Sequence, residues 1–165
     1  MTQEEIQSFT RRIAESNPTE LVVVLYDIYL IRMRDAKASC EKYKASLSDV
    51  DLSEMNRQSK AGDKVLDNLM ADLDFTYEIS NNLYSLYDYC KRKNALFRVK
   101  LDSSLIKETE SIIKELRGAF EEIAKEDTRD SGLSNAQQVA AGYTYGRTSL
   151  NEIETNYDVN RGFKA

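Results

Sequence analysis

The side chains that most often carry acid–base, nucleophilic or metal chemistry are unevenly represented here: twenty-eight carboxylates, two cysteines and no histidine. Without histidine there is no imidazole general base, no Ser-His or Cys-His nucleophile pair, and none of the usual zinc or haem ligands. A carboxylate di-metal site in a helical bundle needs Glu-x-x-His on two helices, which this chain cannot supply. The carboxylates are interspersed with lysines and arginines along helical stretches, the pattern of solvated helix faces. Cys40 and Cys90 lie inside helical patterns and read as reduced core thiols of a cytosolic protein. Gly142-Tyr143-Thr144-Tyr145-Gly146 has two glycines but lacks the lysine and the preceding strand of a phosphate cradle. The reading is of a protein that is not an enzyme and uses no cofactor and no metal.

The elements that would position a binding surface are helices. One proline and six glycines in 165 residues are too few turn residues for a sandwich or barrel, and 41% hydrophobic with 31% charged residues suits amphipathic helices. Asn17-Pro18-Thr19-Glu20 supplies an N-cap, a first-turn proline and an acid for the helix dipole. Val22, Tyr26, Tyr29, Met33, Ala36, Cys40, Tyr43 and Leu47 follow at alternating steps of four and three, predicting a helix to about Ser46. Leu52, Met55, Ser59, Gly62, Leu66, Leu69 and Leu73 mark a second helix, whose small Ser59 and Gly62 allow close approach of a neighbour. A third carries Ile79, Leu83, Leu86, Cys90 and Phe97. A fourth, capped at Asp102-Ser103-Ser104, carries Leu105, Thr109, Ile112, Leu116, Ala119 and Ile123, with Ile106, Ile113 and Phe120 widening the stripe. Short connections make neighbours antiparallel. The expected fold is all-α: an antiparallel up-down four-helix bundle over residues 1–126, with a short amphipathic N-terminal helix (about Gln3 to Glu15) and an irregular C-terminal tail, 127–165.

A net charge of −5 argues against nucleic acid as a partner. The basic cluster Lys91, Arg92, Lys93, Arg98 and Lys100 reads as the solvated end of a helix. No apolar run reaches the length of a membrane span, so membrane insertion is not expected, and the polar N-terminus does not resemble a secretory signal. What exceeds the need of one bundle seam is apolar surface. Leu21, Leu25 and Ile28 form a second stripe on the first long helix, Ile106, Ile113 and Phe120 do so on the last, and Tyr84, Tyr87 and Tyr89 surround the third. Together they predict a groove for a partner segment. Ile6 and Phe9 of the N-terminal piece, and Val139, Tyr143, Tyr145 and Leu150 of the tail, are candidates to cover it.

Four stretches in register resemble the flagellin export chaperone family, FliS. They are Asn17-Pro18-Thr19-Glu20-Leu21 leading into Leu25-Tyr26-Asp27; Lys60-Ala61 with Val65, Leu66, Leu69, Leu73 and Asp74; Asn82-Leu83-x-x-Leu86-Tyr87-Asp88-Tyr89; and Glu115-Leu116-Arg117-x-x-Phe120. Ile28-Tyr29 and Phe97-Arg98 depart from that family's usual smaller or polar residues. The resemblance implies a cytoplasmic chaperone that binds the disordered C-terminal region of flagellin along hydrophobic grooves and delivers it for export. It implies Leu21, Leu25, Ile28, Tyr84, Tyr87, Ile106, Ile113 and Phe120 as client contacts, and Ile6 and Phe9 as a displaceable lid. Another flagellar or type III export chaperone, and a helical adaptor for an anti-sigma factor, are the alternatives. The flagellar export apparatus is a further expected partner.

Overall fold

A computed structural model describes residues 1–129, and these fold into five α-helices. They are α1 (Gln3–Glu15), α2 (Pro18–Ser46), α3 (Asp49–Ala71), α4 (Glu78–Lys100) and α5 (Ser104–Glu126). The expected positions of Val139, Tyr143, Tyr145 and Leu150 lie outside the described residues, as does nearly all of the segment 127–165.

The helix starts follow from local chemistry. Asn17 accepts from the Glu20 amide while Glu20 reaches back to the Asn17 amide, with Pro18 at the first helical position. Thr2 and Glu5 build the same reciprocal cap on α1. At the far end of the bundle, α2 and α4 both stop on a left-handed leucine, Leu47 at φ 54° and Leu101 at φ 55°. Their amides bond Tyr43 and Phe97 carbonyls, the closure that glycine usually provides. Leu47 is 73% exposed, so its side chain contributes little there. Leu47→Gly should therefore raise the thermal midpoint, by about 0.5–1 kcal/mol of relieved left-handed strain.

α2 packs against α3 and α5 on its two sides, α4 closes the ring against the same two helices, and α1 lies on α2. Across the diagonal the Tyr26 and Tyr87 hydroxyls meet at 2.5 Å. With neighbours antiparallel in chain order, this is the expected four-helix bundle with a short N-terminal helix. The predicted seam of α2 is buried from Tyr26 to Cys40. At Gly62 α3 lies close against α2: a Cβ built there would stand 2.9 Å from the Met33 sulfur and 3.5 Å from the Tyr29 ring.

The seam of α5 differs from expectation by one position. Ile106, Thr109 and Ile113 are fully buried, whereas Leu105, Ile112 and Leu116 are half-buried and Ala119 and Ile123 are exposed. Ile79 in the first turn of α4 and Leu47 at the end of α2 are exposed as well. The apolar rows on these helices are adjacent, and the placement of α2, not the period, decides which row is enclosed.

Candidate functional site

Three salt links seat α1 on α2. Arg12 reaches the Asp27 carboxylate at 2.7 Å, Arg34 reaches Glu5 at 2.9 Å, and the Met1 ammonium meets Asp35. The Asp27 carboxylate also accepts from Arg117 of α5 at 2.5 Å, so one side chain ties α1, α2 and α5 together. Phe9 and Ile13 join the hydrophobic core and Ile6 is half-buried. Stepping back along α2 from Asp35 by sevens reaches Ile28 and Leu21, which places both on the flank of α2 that α1 runs along. At the C-terminal end of α1 a cleft of about 480 Å³ opens between Arg12, Glu15, Val23, Val24, Glu121 and Lys125.

Burial acting alone would raise the Asp35 and Glu5 carboxyls. Hydrogen bonds from the terminal ammonium and Arg34 on Asp35, and from Thr2 and Arg34 on Glu5, outweigh it, so both lie below the ordinary carboxylate range. Groups lowered in this way hold α1 in place at neutral pH, and the contribution disappears as pH falls through their lowered values. A spin label at the exposed Gln7 should therefore be immobilised at pH 7 and gain mobility below about pH 4. A spectrum unchanged down to the onset of global unfolding would contradict this.

A second apolar surface lies between α4 and α5. Lys93 of α4 bonds Glu108 of α5 at 3.1 Å and so marks the facing flanks. Stepping back by sevens from Lys93 gives Leu86 and Ile79; on α5, steps of four and three from Glu108 give Ile112, Leu116, Ala119 and Ile123, the row beside Glu115 and Glu122. Leu86, Ile112 and Leu116 are half-buried, and the row opens towards Ile79, 63% exposed, and Ile123, 55% exposed. These side chains form an apolar furrow along the α4–α5 seam, beginning beside the Lys93–Glu108 bridge.

Seven of the eight residues expected to line one groove share the core cluster or pack against its margin. Leu25, Ile28, Tyr87, Ile106 and Ile113 are enclosed in the core, Leu21 and Phe120 sit half-buried at its margin, and only Tyr84 is exposed. The reason is topological: α2 is touched by α1, α3 and α5 and meets α4 across the core, so its doubled stripe is consumed by neighbours. Tyr84 packs edge-to-face on Phe75 at 5.9 Å. It stands on the flank of α4 whose Lys91 pairs with Asp67 of α3, not on the α5 side. Phe120 packs edge-to-face on Tyr26 at 5.7 Å. The row Ile112–Leu116, which the period places on the bundle seam, is half-buried at the surface instead.

Two polar features depend on contacts between helices that local sequence does not show. Asp27 links three helices, whereas Asp88 bonds within its own helix, to Arg92. Asn94 is fully buried; it accepts from the Tyr29 hydroxyl at 3.2 Å and donates to Asp63 at 2.8 Å, and Arg98 closes the network on Asp63 at 2.6 Å. The cysteines are both buried and free, with the Cys90 thiol pushed up to about 12 by desolvation and the nearby Glu108 charge, which leaves it inert as a nucleophile. Among the described residues no His, Cys, Asp or Glu cluster could hold a metal ion, and no helix is long and apolar enough to cross a membrane.

No curated protein matches the sequence significantly. The family model for FliS, flagellar protein FliS, matches residues 1–127, all five helices and the Asn17-Pro18 entry to the bundle included. The chain therefore belongs to the FliS family of flagellar chaperones, the flagellin export chaperones.

Proposed function

We propose that this protein holds the disordered C-terminal segment of flagellin in the cytoplasm, keeps it from polymerising, and hands it to the export machinery. The observation that carries the reading is the α4–α5 furrow, an apolar row half-open along its length and fully open at Ile79 and Ile123. A disordered client must offset its ordering cost by burying apolar surface over a long track, and a helix laid in such a furrow does so. The flank of α2 beneath α1, with Leu21 and Ile28, is the second part of the track and becomes available when α1 leaves; Ile6 and Phe9 then act as its displaceable cover. Leu25, Tyr87, Ile106 and Ile113 support these surfaces from behind.

Calorimetry with a peptide covering the flagellin C-terminal region should show micromolar or tighter binding with a negative heat-capacity change. Ile112→Glu together with Leu116→Glu should weaken it by about 30-fold or more, since each residue, already half-buried, loses part of a contact worth roughly 1.5–3 kcal/mol when fully buried. Wild-type protein that fails to bind at about 100 μM, where a complex of this kind is saturated, would overturn the reading.

A further inference from the structure

The turn joining α3 to α4 carries a surface that the furrow and the α1 seat do not use. Phe75 is 53% exposed, Tyr77 64% and Tyr84 44%, a concentration of aromatic area that a folded surface ordinarily hides. The turn is well built: the Asp74 carboxylate accepts from the Thr76 amide at 2.9 Å, and the Asp74 carbonyl accepts from the Ser80 hydroxyl at 2.6 Å and the Tyr77 amide at 3.2 Å. Phe75 and Tyr84 are locked edge-to-face. Phe75 and Tyr84 are thus presented in a fixed arrangement, with little ordering left to be done on contact.

The charge along this stretch of chain has one sign. From Val65 to Cys90 the chain contains Asp67, Asp72, Asp74, Glu78 and Asp88 and not one lysine or arginine. Lys91 answers Asp67 and Arg92 answers Asp88, but no bridge from a basic side chain reaches Asp72, Asp74 or Glu78 among the described residues. Aromatic faces ringed by carboxylates favour arginine and lysine twice, by ion pairing and by cation–π contact, and disfavour acidic segments. The Tyr84 side of α4 faces α3, so a segment seated here would leave the α4–α5 furrow free.

We propose that this corner, Phe75, Tyr77 and Tyr84 rimmed by Asp72, Asp74 and Glu78, docks a basic amphipathic segment of a partner protein other than the client. The segment presents arginine or lysine beside an apolar side chain. Its recognition is set by the rim and its contact area by the rings.

The test uses the full chain and a fluorescent 14-residue peptide with arginine, lysine and leucine at helical spacing, with the same peptide bearing glutamate in place of every basic residue as its control. Anisotropy should show salt-sensitive binding of the basic peptide alone. Asp72→Asn with Glu78→Gln should weaken it about fivefold, the product of two exposed ion pairs of ordinary strength. Phe75→Ser with Tyr77→Ser should weaken it about tenfold, and both exposed positions leave the core intact. Asp49→Asn with Asp51→Asn, on an acidic turn at the other end of the bundle, should change nothing. Zero-length carbodiimide cross-links from the peptide lysines should map to residues 72–78. Equal loss in the Asp49/Asp51 variant would overturn the proposal. So would cross-links that join residues 72–78 to lysines of this chain or of a second copy, by assigning the corner to self-association. Loss of flagellin-segment binding in the Phe75/Tyr77 variant would overturn it too, by assigning the corner to the client; retention of that binding separates this proposal from the furrow reading.

Discussion

Removal of residues 1–16 should tighten binding of the flagellin C-terminal segment about tenfold and speed its association. The size follows from the balance that holds α1 down. Seating Phe9 and Ile13 in the core contributes roughly 1.5–3 kcal/mol each, and the Arg12–Asp27 and Arg34–Glu5 pairs, both partly exposed, add well under 1 kcal/mol apiece. Against this stands the ordering of a 13-residue helix that is marginal in isolation. A tenfold gain corresponds to a hold of about 1.4 kcal/mol, enough to keep the Leu21–Ile28 flank covered most of the time and to reduce apparent affinity by the same factor. Stopped-flow and calorimetry on the truncated and full-length proteins measure both quantities. Arg12→Ala should give a smaller change in the same direction without deleting core residues. Affinity and on-rate that both stay unchanged would remove α1 from the mechanism.

Asp63→Ala should cost about 3 kcal/mol of stability, the largest single-site loss expected outside the apolar core. The truncation leaves the Asn94 amide without its acceptor and strips the Arg98 guanidinium, only 18% exposed, of its counter-charge, although Ser59 still bonds it at 2.8 Å. An asymmetry accompanies this. Burial pushes the Asp63 carboxyl above its ordinary range, and the bonds from Asn94 and Arg98 only partly pull it back. The ionised pair therefore contributes little net stability, while a single unpaired partner is expensive. Replacing both at once, Asp63→Leu with Arg98→Met, should cost less than Asp63→Ala alone. Chemical denaturation of the three proteins decides it: a double variant worse than the single one would mean that the network itself stabilises the bundle.

Sequence alone settled much about this chain. The caps at Asn17 and the period from Tyr26 to Cys40 dictate the long central helix, because an apolar residue every three to four positions can be enclosed only on a helix. The stop near Ser46, the small Gly62 beneath Met33, and the unpaired core cysteines follow from the same local rules, and the four motifs in register name the family. Period cannot decide, however, which of two adjacent apolar rows meets the interior. Leu105–Ile112 and Ile106–Ile113 are one residue apart, a rotation of about 100° on the helix. Only the position of α2 turns the second row inward and leaves the first as the wall of the furrow. The same holds for Leu25 and Ile28, which read as spare surface until α2 proves to be the helix touched on every side. Asp27 has only Val23, Val24, Leu30 and Ile31 three and four positions away on its own helix, so its partners Arg12 and Arg117 come to it through chain folding alone. Tertiary structure thus decided where the open apolar surface lies, since exposure is a property of neighbours and not of the residue that carries it.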